Sequence, residues 1–164
     1  MVLGEQVEKF IITLEDNSEI QAVYNPGTFK MSYGTQWKDP AQRDNNVGEA
    51  EFVSTNATKL DVTLLFDTYH ETFDSVTSKG IKNQGKQIQN VDVGKRYIND
   101  MVRLVRIDGR YHRPPICTLK WGKMSWGSKL PFKCVLTSLT IDYKMFLADG
   151  TPVRAEAVCS FQQW

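Results

Sequence analysis

The chain has 164 residues, 41% of them hydrophobic and 24% charged, with a formal net charge of +1. These values fit one folded domain with a core of its own and argue against a dedicated nucleic-acid binder, which would be basic overall. No apolar run is long enough to span a bilayer, and the opening MVLGEQVEKFIITLEDNSE lacks both the basic start and the small-residue cleavage site of a signal peptide, so synthesis in the cytosol is expected.

Taken in chain order, VEKFIITL (7–14), the turn-forming EDNSE and IQAVYNP (20–26) predict a β-hairpin. TFKMSYG (28–34) alternates Phe29, Met31 and Tyr33 with Thr28, Lys30 and Ser32, the period of a strand. The polar stretch TQWKDPAQRDNNVGEAE (35–51) has no periodicity and is expected to be a loop. In TKLDVTLLFDTY (58–69), Leu60, Val62, Leu64 and Phe66 share one face of a strand. Residues 70–91, rich in Lys, Gln, Asn and Ser, read as a second loop.

DVGKRYINDMVRLVRIDG (92–109) is the one predicted helix. Asp92 is its N-cap, Val93, Tyr97, Met101, Leu104 and Val105 form its apolar stripe, and Gly109 with Pro114 and Pro115 ends it. After the prolines the chain reads as β to its last residues. ICTLKWG (116–122) and LPFKCVL (130–136) flank a turn, and 138–161 forms a long hairpin about Asp149-Gly150 whose loop can run past two residues. Leu139, Ile141, Tyr143 and Met145 alternate with Ser138, Thr140, Asp142 and Lys144; Val153, Ala155, Ala157, Cys159 and Phe161 alternate with Arg154, Glu156, Val158 and Ser160. The fold class that follows is mainly β (α+β): an antiparallel barrel or sandwich with long hairpins and one packed helix. Long hairpins leave edges that invite pairing, so other subunits are expected to complete them.

The charge is unevenly spread. Residues 1–78 carry 5 basic and 13 acidic side chains, residues 79–113 carry 9 and 3, and residues 114–164 carry 6 and 3. An acidic and a basic part on one chain suit head-to-tail contact between copies, with Arg103 and Arg106 as the expected contacts to a neighbour. Cys117, Cys134 and Cys159 form no CxxC pair and read as small buried hydrophobes, not as a disulfide framework or zinc site.

DGRYHRPPICTLKWG (108–122) is the densest candidate for chemistry. A general base needs an acceptor to orient it, and His112 has Arg110 and Arg113 beside it instead. His70 has no second ligand at metal spacing, and no GxSxG, HExxH or phosphate loop occurs. The stretch therefore reads as scaffold: the prolines turn the helix exit into a strand that Trp121 anchors. No catalytic, cofactor or metal site is assigned.

Five segments in order resemble one family: YNPGTFKMSY (24–33), LLFDTY (64–69), DVGKRYINDMVRLVRID (92–108), HRPPICTLKWG (112–122) and MFLADGTPVRAEAVCSF (145–161). Together they resemble the tube-initiator, or tube-adaptor, proteins of contractile injection systems, the phage-tail-like particles of bacteria. The marker positions are Asn25, Pro26, Phe66, Asp67, His112, Pro114, Pro115, Trp121, Gly122, Asp149, Gly150, Pro152 and Arg154. The resemblance implies a tail-tube-like domain that forms a homohexameric ring, its hairpins joined into one inner barrel. The ring sits between the spike hub and the inner-tube proteins, with baseplate wedge or sheath proteins as further neighbours, inside a particle that can be released from the cell. Ser138, Thr140, Asp142, Lys144, Arg154 and Glu156 would then face the lumen or a neighbour, and the apolar set would face the helix. Many relatives continue into a LysM-type module; residues 1–164 are expected to be a single tube-like domain, either a short form or a part. The alternatives are the main inner-tube subunit, a small hydrolase or ligand-binding β-barrel using His112 and Cys117, and a nucleic-acid binder using 79–113.

Overall fold

The computed structural model describes residues 7–39, 48–69, 92–124 and 132–164. The strands are β1 (Phe10–Leu14), β2 (Glu19–Gln21), β3 (Phe29–Ser32), β4 (Thr35–Lys38), β5 (Glu51–Thr55), β6 (Lys59–Asp67), β7 (Cys117–Trp121), β8 (Phe132–Phe146) and β9 (Pro152–Gln163). A π-helical turn, Gly94–Ile98, runs straight into an α-helical one, Asn99–Arg103; together they are helix α1. Seven strands form one antiparallel sheet in the order β2-β1-β7-β8-β9-β6-β3, and β4 and β5 form a separate hairpin.

Alternation places the core. The odd positions of β9 and the even positions of β6 are buried, and the register sets Leu60 opposite Phe161, Val62 opposite Cys159, Leu64 opposite Ala157 and Phe66 opposite Ala155. Each strand thus gives its apolar half to one continuous core, into which Val93, Ile98, Met101 and Leu104 from the α1 region pack. The sheet is rolled. β3 and β7 stand four places apart in it, about 19 Å on a flat sheet. Yet the rings of Phe29 and Trp121 lie with centroids 6.0 Å apart. No ladder joins β2 to β3 among the described residues.

β8 is one strand where the sequence suggested two. The apolar positions switch from even (Phe132, Cys134, Leu136) to odd (Leu139, Ile141, Tyr143, Met145), which an uninterrupted strand would send to opposite faces. A β-bulge absorbs the switch: Leu136 pairs with Phe161 and Ser138 with Ser160, leaving Thr137 as the extra residue. Its hydroxyl donates to the Ser160 carbonyl at 2.9 Å. The β8–β9 turn spans Leu147 to Thr151, longer than two residues, with Gly150 at φ 88° as the turn requires.

Three further expectations change. Residues 35–51, expected as loop, begin and end in β4 and β5, because Trp37 and Phe52 pair across the two strands with ring centroids 5.4 Å apart. One aromatic on each strand leaves no periodicity to read. The strand expected over 20–26 is confined to Glu19–Gln21, since the Asn25 side chain takes over as partner of the chain leading into β1. The helix ends at Arg103, not at Gly109: the amides of Leu104, Val105 and Arg106 bond three residues back, tightening the chain out of the α-helix. Asp92 caps the start, accepting the Gly94 amide at 2.7 Å. The π turn advances the stripe by a residue, so Ile98 is buried and Tyr97 only half-buried. The loop expected over 70–91, with His70, lies outside the described residues, as does most of the turn between β7 and β8.

Candidate assembly surface

Beyond the core, β8, β9 and β6 continue as a three-stranded ribbon. β7 pairs with β8 only from Phe132 to Cys134. From Val135 to Phe146, β8 is bonded to β9 on one side and to no described strand on the other. Alternate residues of such an edge point both N–H and C=O outward, so about six residues offer paired donors and acceptors. On the opposite side of the ribbon, β3 covers β6 only from Lys59 to Val62, and Thr63 to Phe66 have no ladder partner on that side among the described residues. One ribbon thus carries two bare edges, facing opposite ways.

The expected polar set occupies the face of this ribbon away from the core. Ser138, Thr140, Asp142 and Lys144 are exposed, and Arg154 and Glu156 are half-buried. Lys144 sits in a second bulge, between the pairs Tyr143–Ala155 and Met145–Arg154. Its ammonium lies 2.6 Å from Asp142 and 3.7 Å from Glu156, and the Asp142 carboxylate holds its pKa above the ordinary lysine value. Arg154 reaches Asp67, its direct partner across β6 and β9, through Nε at 3.0 Å and Nη2 at 2.8 Å. The Tyr69 amide donates to the other oxygen of Asp67, at 2.9 Å. Of the expected apolar set, Leu139 and Ile141 of β8 and Ala155, Ala157, Cys159 and Phe161 of β9 pack into the core, whereas Met145, opposite Arg154 beyond the second bulge, shares the outer side; Phe66 stacks on Tyr97 with centroids 5.2 Å apart.

The remaining marker residues hold turns. Asn25 accepts the Phe10 amide at 3.0 Å and donates to the Glu8 carbonyl at 2.7 Å, acting as a short strand beside β1, while Pro26 is buried next to it. Trp121 donates Nε1 to the same Glu8 carbonyl at 3.2 Å and meets Phe10 edge-on. Gly122, at φ 52°, would bring a Cβ to 3.1 Å from Glu8. Asp149 accepts the Thr151 amide at 3.0 Å, which lowers its pKa, and Pro152 closes the hairpin opposite Phe146.

His112 is exposed, with φ 54°, and its amide donates to the Asp108 carbonyl at 2.9 Å. Pro114 is half-buried and Pro115 buried, leading into a fully buried Cys117. The structure therefore does not bring His112 and Cys117 together as a pair. Among the described residues no group of His, Cys, Asp or Glu is placed to hold a metal ion.

Sequence reasoning missed a clamp at the β1–β2 turn. Glu15 receives both Arg113 nitrogens at 2.9 Å and the Ile116 amide at 3.0 Å; Asp16 lies 3.2 Å from Arg103 and 3.5 Å from Arg110. Arg103, expected from the charge split to reach a neighbouring copy, thus has a partner in its own chain; the Arg106 side chain is exposed. The Arg113 hydrogen bond holds Glu15 below the ordinary carboxylate range, and Ser18 hydroxyl and amide bonds do so for Asp16, with Arg110 and Arg103 adding to them. The signal in the sequence was the acidic turn EDNSE set against the arginines of 103–113.

A profile of the contractile injection system tube protein family matches residues 8–164. The chain belongs to that family. Among curated proteins, none matches it. Contractile injection system tube proteins are structural components of phage-tail-like particles, and this tube protein presents what such a part requires: an apolar core sealed behind a ribbon with polar outer side chains and pairing groups along its edges.

Proposed function

We propose that this tube protein is the adaptor that starts the inner tube: a homohexameric ring seated on the spike hub, on which the inner-tube proteins build. The two oppositely facing bare edges of one β8–β9–β6 ribbon carry the ring. A copy that offers β8 from Val135 to Phe146 and receives a neighbour along β3 and β6 makes a head-to-tail contact, which repeats until rotation closes it. Closure pairs both bare edges of the ribbon and turns the polar set, Ser138, Thr140, Asp142, Lys144, Arg154 and Glu156, towards a common lumen. The adaptor role within the family rests on the five sequence segments and on the need for two different ring faces.

The test is electron microscopy of the purified protein, alone and with inner-tube protein added. The adaptor gives closed single rings that nucleate tubes only when the tube protein is supplied. Open-ended stacks from the protein alone assign it to the main tube, and monomers under both conditions refute the ring.

A further inference from the structure

We propose that Cys117 and Cys134 form a thiol–disulfide site that closes across β7 and β8 when a low-molecular-weight disulfide oxidises it. The two cysteines are direct partners in the antiparallel register, and both face the core. Such partners have Cα atoms about 4.5–5.5 Å apart, inside the range a disulfide spans. Cys159 is excluded by the same register. Cys134 pairs with Gln163, four residues along β9 from Cys159, which puts the third thiol about 13 Å away.

The position of the pair gives the bridge its effect. Cys117–Cys134 is the rung next to which β8 leaves β7 and continues as a bare edge from Val135. A bridge there staples the root of the ribbon to the core. The resting thiols are slow to react: burial pushes Cys117 up to about 12 and Cys134 higher still, so little thiolate exists at neutral pH. Opening of that end rung exposes both sulfurs together. One thiol loses its proton and attacks the small disulfide, forming a mixed disulfide and expelling one small thiolate. The second protein thiolate then attacks the protein sulfur of that mixed disulfide, forming the Sγ–Sγ bond and expelling the second small thiolate. Two protein thiols are oxidised, one small disulfide is reduced to two thiols, and the two protein protons end on them.

The full chain is incubated with oxidised and reduced glutathione at neutral pH, quenched with an alkylating agent and mapped by peptide mass spectrometry. The expected product is a monomer-linked Cys117–Cys134 bridge with Cys159 alkylated, a melting temperature raised by roughly 5–10 °C, and no bridge in C134S. A parallel sample is oxidised in mild urea and refolded, which separates access from geometry. A bridge absent from both samples, a bridge to Cys159, or a Cys117–Cys134 form that melts below the reduced protein overturns the proposal.

Discussion

Deleting Thr137 removes the bulge of β8 without disturbing its register. Leu136 already pairs with Phe161 and Ser138 with Ser160, so the shortened strand reads Leu136 in, Ser138 out, Leu139 in, Thr140 out, the same facing as before. The deletion forfeits the hydrogen bond from the Thr137 hydroxyl to the Ser160 carbonyl, worth about 1 kcal/mol. Deleting Thr140 is the control. It takes the same residue type from the same strand, but the chain then has two poor choices. It keeps the bulge and turns Ile141 and Tyr143 to the outer face, or it gives up the bulge and drives Ser138 inside in place of Leu139. The second is cheaper and still costs about 2–4 kcal/mol, from the exposed Leu139 and the buried hydroxyl. Urea unfolding at one protein concentration reads both variants. The Thr137 deletion is expected within about 1 kcal/mol of the parent, and the Thr140 deletion clearly below it. Ring formation separates them differently: loss of the bulge straightens the ribbon, so the Thr137 deletion folds but closes rings poorly. Equal destabilisation by the two deletions refutes Thr137 as the residue that absorbs the parity switch in β8.

Arg154→Met leaves Asp67, 2% exposed, without its guanidinium and is expected to cost about 2–4 kcal/mol, the lower end because Arg154 itself is partly in water. A thermal melt lowered by at least ~5 °C, largely restored in Arg154→Met with Asp67→Asn, is the expected pattern. Acid should loosen the β1–β2 clamp. Glu15, Asp16 and Asp108 all have folded-state pKa values below their ordinary ones, so the unfolded chain binds more protons and their stabilisation, complete near neutrality, is lost as pH falls. Urea midpoints should therefore drop between about pH 5 and pH 3, and Glu15→Gln should flatten that drop.

Where a feature is legible in the sequence, it is carried by alternation or by a special residue. Strands β6 and β9 stand out because alternate residues are apolar along most of their length, and the β8–β9 turn because Asp149-Gly150 interrupts two such runs. The bulge is present in the sequence as a parity switch at Thr137, but alternation alone does not distinguish a turn from an extra residue inside a strand. β4 and β5 are invisible for a different reason. Their clearest mutual signature is Trp37 opposite Phe52, a tertiary pairing of residues far apart in sequence. The Glu15 and Asp16 clamp escapes a charge count over long blocks, because blocks say nothing about which acid folds back onto which arginine.

The bare edge of β8 also explains how a protein with such a ribbon avoids indiscriminate pairing. Natural edges are blunted by bulges and by lysines, and β8 has both at its tip: Lys144 is the bulged residue and is held by Asp142 and Glu156. Its root is blunted by the Thr137 bulge, which bends the strand. Between them, Ser138 to Tyr143 runs regularly paired to β9 and, among the described residues, bare on its outer side. A partner strand must match that short window, follow the bends at both ends and avoid the charges at the tip. A neighbouring copy, approaching with its own fixed β3–β6 edge, arrives with geometry already set by its core. An extended peptide arrives with none and must lose the conformational entropy of ordering itself, about 1–2 kcal/mol for each residue fixed. In the proposed ring, selection for like copies would therefore come from the rigidity of the edge that is offered, not from hydrogen bonds, which any backbone supplies.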